Sequence, residues 1–426
     1  MSGNLLTLSL PSRTLLGVDL LSLTTSPTIY GISSVPPGWH FVFTGATASL
    51  SIRHGFWFCV PDDSQLLDSS VSGQLIVRKW DTEREELAAV TDKNELDTWR
   101  GKLLAEGGKW GRRNLMGYRQ SKSGSGTTDT ATSMNSSQNE EEGPSVWLSL
   151  TGHITHSLLS RLTTGTFTLT STSCSIQDRD EIPGLSASEV AFALEGEELV
   201  FLGIDLSRTW REGAVGRERT DGARDRGWAL AEVVQRSQEA GSKFSDGEEV
   251  EEDGEAQWGD GVLGEMEVCF LMVLTLGNYS CLEEWKRVLE LIFTSRQIIE
   301  EHEEFFCEAL RLLGLQLRRC EDVEGGLFDF SDEGGGGAFL KKLLKGFRRM
   351  LIEGVADDGA KGERLKAEMA ELEEWVKEEY GWDLSDDMLR RGMLVLEDGE
   401  MVEMEMDGAE EDEERGEYAP VIVELG

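Results

Sequence analysis

The chain has 426 residues, 39% of them hydrophobic, which is enough for two or three domains, each with a core. A formal net charge of −39 argues against nucleic acid as a direct ligand, since phosphates would be repelled, and leaves a protein as the natural partner. No secretory signal or membrane span is read, and the six cysteines show no Cys-x-x-Cys spacing, so reduced thiols in a cytoplasmic and nuclear protein are expected.

In chain order, residues 5–110 carry β character. Short apolar or alternating runs at 15–19, 28–33, 39–43, 55–60 and 74–80 are bounded by Pro, Gly, Ser and Asp. Pro36-Pro37-Gly38 is a turn signal, because proline presets φ and glycine permits the positive φ that follows. The next run alternates, placing Trp39, Phe41 and Phe43 on one strand face and His40 and Val42 on the other. Leu96, Trp99 and Leu103 mark a short helix over 92–105. Residues 1–116 are thus expected to form a β-rich, sandwich-like N-terminal domain.

Residues 117–144 are rich in Ser, Gly, Thr and Asn and read as a disordered linker, since such a segment buries too little to offset its ordering entropy. A connecting mixed segment follows over 145–241, with a short helix at 154–162, strand character at 200–206 and a helix starting at Trp228. Residues 242–257 are strongly acidic and read as a mobile loop.

Residues 258–384 are expected to form a helical C-terminal domain. The run 262–276 is apolar nearly all round, with Glu265 and Glu267 near its start, as in a helix surrounded by others. Gly277-Asn278 turns the chain, and Ser280 with Glu283 matches a capping box for the next helix. That helix presents Leu282, Trp285, Leu289 and Ile292 on one face, so the two form an αα-hairpin with Trp285 buried. A third helix runs from Ile298 and is closed by Gly314, and a flexible insert at 334–337 precedes a fourth over 339–351. A fifth lies over 365–380. Residues 385–417 read as an acidic tail and 418–426 as a β-strand segment. The fold class is α+β and multidomain.

Few residues suggest chemistry. There is no phosphate loop of the GxxxxGK[ST] form, and His302-Glu303-Glu304 begins like a zincin but lacks the second His four residues on. His153 and His156 have no third ligand at metal spacing, and His40 has no nucleophile placed beside it. Lys341, Lys342, Lys345, Arg348 and Arg349 form a basic stripe on the fourth helix, read as a solvated face or a docking surface for an acidic partner or RNA. No cofactor and no metal are expected.

Several of these stretches together resemble a known family. Gly17-Val18-Asp19, Gly31, the run from Val35 to Phe41 and Arg53-His54-Gly55-Phe56-Trp57-Phe58 are similar to the N-terminal signature of the A1-cistron splicing factor family. The likeness continues through 147–162 and through Trp210, Gly213, Glu218-Arg219-Thr220 and Asp225. It is most specific at Gly264-Glu265-Met266, Gly277-Asn278 and Glu284-Trp285-Lys286-Arg287. Trp39, the linker at 117–144, the tetraglycine insert and the long acidic tail depart from the family pattern.

The resemblance implies a non-enzymatic assembly factor of the U5 small nuclear ribonucleoprotein, working in pre-mRNA splicing. Such a factor binds the large U5 scaffold protein and holds it until a helicase replaces it, in indirect competition. Partner binding is expected at Val421, Ile422, Val423 and Leu425, either by strand addition to the partner or by pairing with the chain's own β domain. Ser245, followed by acids at +1, +3 and +4, is a candidate for regulatory phosphorylation. A monomer with no membrane contact and no direct nucleic-acid binding is expected. Two alternatives stand beside this reading: a general acidic chaperone for basic or RNA-binding proteins, and an enzyme with an unrecognised acidic site.

Overall fold

The computed structural model describes residues 2–25, 29–47, 51–61, 75–105, 108–118, 143–178, 198–243, 257–320, 336–354, 362–385, 389–395 and 401–407. An N-terminal β region is followed by a C-terminal helical region, as the residue patterns imply.

Two five-stranded sheets make up the β region. The strands are β1 (Gly3–Leu8), β2 (Leu15–Val18), β3 (Leu21–Thr24), β4 (Gly31–Val35), β5 (Gly38–Gly45), β6 (Arg53–Val60), β7 (Leu75–Asp81), β8 (Glu86–Ala89), β9 (Met116–Gly117) and β10 (Thr168–Thr170). Their orders are β8-β7-β1-β4-β9 in one sheet and β10-β6-β5-β2-β3 in the other. Leu5, Ile32, Val35 and Trp80 of the first sheet meet Leu16, Val42, Phe56 and Phe58 of the second in a shared core.

The second sheet is buried on both faces. Because side chains alternate along a strand, Phe41, Phe43 and Trp57 point the other way and join the helical core, with Leu158, Phe270 and Trp285 in the same cluster. Two glycines make room for these rings. A Cβ on Gly17 would lie 2.1 Å from the Phe43 ring, and one on Gly55 would lie 2.2 Å from the Phe41 ring. On the outer face of the first sheet, Leu6, Leu8 and Val77 pack under Leu96, Trp99 and Trp110 of helices α1 (Lys93–Leu104) and α2 (Lys109–Asn114).

The helices then follow as α3 (Gly143–Ser149), α4 (His156–Leu162), α5 (Arg217–Arg224), α6 (Gly227–Lys243), α7 (Asp260–Leu276), α8 (Tyr279–Phe293), α9 (Glu303–Leu317), α10 (Gly336–Gly354) and α11 (Glu363–Tyr380). Helix α7 is the central one: from Val262 to Val273 every residue is buried, including Glu265 and Glu267. Gly277, at φ 68°, caps its end in the left-handed conformation. Trp285 of α8 is 1% exposed and donates through Nε1 to Gln316 Oε1 of α9 at 2.8 Å, which buries it between helices as its spacing predicts. Among the described residues, no helix is long and apolar enough to cross a membrane.

Several expectations are corrected. The cap of α8 is Asn278, whose Oδ1 accepts from Cys281 N at 2.9 Å, while the Ser280 hydroxyl is turned away to Asp178. Gly314 lies inside α9, where Gln316 and Leu317 continue the buried face and keep the helix going. Residues 200–206 do not form a strand; Val200 bonds to the Leu162 carbonyl and the Arg161 side chain, and Leu202 N donates to the Glu265 side chain. Within the stretch assigned to the acidic tail, β11 (Leu389–Val395) and β12 (Met401–Asp407) pair as an antiparallel hairpin, from Leu389↔Asp407 to Val395↔Met401.

Candidate functional site

The family-like motifs of the helical region converge on one buried polar network. Arg161 at the end of α4 donates from Nη2 to Glu265 Oε2 at 2.5 Å and from Nη1 to the Val200 carbonyl at 2.6 Å. The other oxygen of Glu265 accepts from Leu202 N at 2.9 Å. One turn into α8, Glu284 lies next to Glu265 and accepts from Arg287 Nη1 at 2.8 Å. Arg287 Nη2 reaches Asp178, whose second oxygen takes the hydroxyls of Ser175 at 2.7 Å and Ser280 at 2.5 Å. Asn278 adds two further ties, donating from Nδ2 to the carbonyls of Thr170 at 3.0 Å and Ser173 at 2.7 Å.

Two guanidinium groups thus face three carboxyl groups. The surplus falls on Glu284, which burial and then the charge of Glu265 push up to about 8. Burial works against the Arg287 charge, yet its bonds to Asp178 and Glu284 hold that guanidinium more firmly protonated than usual. The fully buried Cys269 thiol is also raised, by burial and then by its contact with Cys281. These groups fasten residues 173–178 and 199–204 onto α7 and α8. With Asp178, Glu265 and Glu284 each fully buried, the arrangement holds segments in place.

A neighbouring carboxyl is less well served. Glu267, also on α7, accepts from His153 N at 2.9 Å through Oε2, and its Oε1 has no hydrogen-bond partner among the described residues. Burial pushes Glu267 up to about 8. His153 itself lies 3.3 Å from Asp260 and 3.9 Å from Glu308. Among the described residues, no group of His, Cys, Asp and Glu is arranged to hold a metal ion.

In the β region, His40 is fully buried. Its Nδ1 is 2.8 Å from Asp19 Oδ2 and its Nε2 is 2.8 Å from the Pro36 carbonyl, so the ring ties the Pro36-Pro37-Gly38 turn to the strand behind it. Asp19 also accepts from Phe41 N at 2.9 Å and from the Tyr118 hydroxyl. Burial, then the Asp19 charge, raises the Tyr118 phenol well above its ordinary range. His40 thus has a positioning role, with no nucleophile against it among the described residues.

The remaining sequence candidates are scattered. His156 opens α4, and His302 stacks on Trp258 with ring centres 3.6 Å apart, where burial lowers its pKa. On the basic stripe, Lys341, Lys345 and Arg348 are half-buried and Lys342 and Arg349 exposed, and Arg348 pairs with Glu373 at 2.8 Å. Ser245 and Val421, Ile422, Val423 and Leu425 lie outside the described residues. A feature that sequence reasoning missed is a cavity of about 320 Å³ beside α6, bounded by Ile204, Arg208, Trp228, Val233, Arg236 and Leu291. Trp228 and the run of arginines after residue 207 were its only signal.

Comparison with known proteins falls on the same stretches. The family model described as the AAR2 N-terminal domain matches residues 1–164, and the one described as the AAR2 C-terminal repeat region matches residues 201–385. A curated relative, Protein AAR2 homolog of Caenorhabditis elegans, is 26% identical over 126 residues, which are 30% of this chain and 33% of that protein. The match therefore spans about a third of the length of that relative.

Proposed function

This chain belongs to the AAR2 family, the A1-cistron splicing factors, and on that premise we propose that it is a non-enzymatic assembly factor of the U5 small nuclear ribonucleoprotein. Family membership implies a splicing-related factor. The finer reading is that the protein binds the large U5 scaffold protein and holds it until a helicase takes its place. It acts as a monomer in the cytoplasm and nucleus, and touches neither membrane nor nucleic acid directly. The observation that carries this reading is the pair of family domains, matched in order over 1–164 and 201–385. The buried networks around Asp19 and Glu265 support it, because they occupy the motif residues with fastening rather than catalysis.

Val421, Ile422, Val423 and Leu425 add as a strand to a sheet edge of the scaffold, with backbone pairing for affinity and alternate side chains for selectivity. Phosphorylation at Ser245 adds negative charge within an acidic stretch and favours release.

Affinity capture from cell extract, read by mass spectrometry, tests the whole reading. The large U5 scaffold protein should be recovered and should survive moderate salt. Recovery of assorted basic proteins that wash off as salt rises would replace this reading with that of a general acidic chaperone. Deleting residues 418–426 should weaken scaffold binding by about tenfold, roughly 1.4 kcal/mol, while leaving the melting temperature unchanged. A fall in melting temperature with unchanged binding would assign the strand to this protein's own fold.

A further inference from the structure

Helices α1 and α2 form a layer that the fold leaves half open. Neither has a fully buried residue, although Leu96, Trp99, Leu103 and Trp110 pack on Leu6, Leu8 and Val77 of the first sheet. In α8, by contrast, the stripe of Leu282, Trp285, Leu289 and Ile292 is buried throughout. Three rings run along the open layer: the Tyr30 and Trp110 ring centres are 5.7 Å apart, and those of Trp110 and Trp99 are also 5.7 Å apart. Both tryptophans are half-buried and Tyr30 is exposed, as is Leu104 at the end of α1. A contiguous apolar face of this kind marks an interaction site more often than a chance exposure.

The border of the layer is basic. Lys93, Lys102, Lys109 and Arg113 are all exposed. Lys102 Nζ stands 3.9 Å from the centre of the Trp99 ring, while Lys109 adjoins Trp110 and Arg113 lies one helical turn from it. Most acids on the same stretch are taken. Asp92 caps α1 by accepting from Asn94 N at 3.0 Å, Glu95 pairs with Lys79 at 3.7 Å, and Asp97 pairs with Arg100 at 3.2 Å. Glu106 is the remaining acid between Asp92 and Tyr118.

We propose that this layer is a docking surface for a short acidic segment of a partner protein, one that carries a bulky apolar side chain among its carboxylates. The cations select the acid, since they make a positive border on a chain of net charge −39. Exposed ion pairs contribute little one by one. The affinity therefore comes from an apolar side chain that completes the cover of Trp99, Trp110 and Tyr30. Helix α1 has twelve residues and is about 18 Å long, which an extended segment of about five or six residues spans.

RNA fits the layer less well. Successive rings are tilted by 49° and 53°, so they offer no parallel platforms for successive bases, and Lys102 already covers the Trp99 face. The charge of the rest of the chain also repels a longer polyanion. The site lies in the N-terminal region and uses none of residues 418–426, so it goes beyond the scaffold-binding reading and does not depend on it.

Selection from a random display library of peptides about ten residues long, with the full chain as bait, tests this. Enriched peptides should combine carboxylates with an aromatic or leucine side chain. Synthetic copies, read by fluorescence anisotropy, should bind about tenfold or more weakly to Lys109→Glu with Arg113→Glu, and likewise to Tyr30→Ala. Lys342→Glu with Arg349→Glu makes the same change in net charge on α10 and should alter affinity by less than about twofold. Should the first reversal lower the melting temperature, Lys109→Gln with Arg113→Gln takes its place. No enrichment, enriched peptides without acids, or equal loss on both double reversals would overturn the proposal. An oligouridylate probe that binds at physiological salt and responds to the Lys109 and Arg113 variants would give the layer to RNA instead. Residues 62–74 carry Asp62, Asp63, Leu66, Leu67 and Asp68 and lead into Leu75, which packs against the same cluster. Peptide binding that appears only when 62–74 are replaced by a Gly-Ser linker would make this chain its own occupant and end the partner reading.

Discussion

The cluster around Asp19 and the cluster around Glu265 both hold ionisable groups out of water, one between sheets and the other between helices. Asp19 is a lone carboxyl met by three donors: the Phe41 amide, the His40 ring and the Tyr118 hydroxyl. Every member lies within the N-terminal region. The helical cluster instead sets three carboxyls against two guanidinium groups and draws them from α4, α7, α8 and the 173–178 segment. A carboxyl with donors on all sides keeps its bonds over a wide range of conditions, whereas a cluster with one carboxyl too many must hold a proton to stay together. The first arrangement serves as a latch for one turn; the second makes the packing of distant segments depend on a proton.

That contrast can be broken in several ways. Arg161→Leu should have the largest effect, because it leaves the fully buried Glu265 carboxyl without its guanidinium partner and with Leu202 N as its remaining donor, at a cost of about 3–5 kcal/mol. Urea unfolding would show it as a lower midpoint, and a loss below about 1 kcal/mol would mean that the 199–204 segment is held by packing alone.

The pH dependence is next in size. Glu267 and Glu284 are each raised from an ordinary 4.5 to about 8, so the folded state binds more protons than the unfolded one between those values. Their contribution is full below pH 4.5, declines as pH rises and is gone above pH 8. Between pH 6 and 8.5 the chain should lose about 2–3 kcal/mol for each group, and Glu284→Gln should remove one share of the slope. Stability that is flat or rising across that interval would contradict the surplus carboxyl in the helical cluster.

Smaller effects separate neighbours. Asn278→Ala should cost about 2–3 kcal/mol, since it removes the α8 cap and two donors to buried carbonyls together. Ser280→Ala, losing its bond to Asp178, should cost about 1 kcal/mol. Equal costs would restore Ser280 as the cap. Smallest of all, Tyr118→Phe should cost about 1–1.5 kcal/mol in the same urea unfolding, since it removes one of the three donors to Asp19. A cost as large as that of Arg161→Leu would show the two clusters to be alike.

Much of the helical region could be read from residue order because helical period and burial coincide there. The apolar wrap of 262–276 and the Leu282, Trp285, Leu289, Ile292 stripe each describe a face that is in fact buried. Strand β1 was harder: it pairs in parallel with β7, some seventy residues away, and no local turn announces such a partner. Residues 200–206 looked like a strand because their alternate positions Leu202 and Ile204 are buried, yet Arg161 and Glu265 supply the backbone bonds that a neighbouring strand would have supplied. Ser280 matched a capping pattern for local reasons, and only Asp178, about a hundred residues earlier, explains why its hydroxyl points elsewhere. The pocket beside α6 escaped for a similar reason, since Ile204, Trp228 and Leu291 come from three separated stretches.

The sheet that is buried on both faces carries a consequence for synthesis. Strands β5 and β6 leave the ribosome early, but the face bearing Phe41, Phe43 and Trp57 first meets Trp147 of α3, about ninety residues on, and is closed only when α7 has emerged, more than two hundred residues later. At translation speeds of about 5–20 residues per second, that aromatic surface stays incompletely covered for roughly ten to forty seconds. Nascent chains of this protein should therefore be customers of ribosome-associated chaperones in that interval, and should release them as α7 arrives.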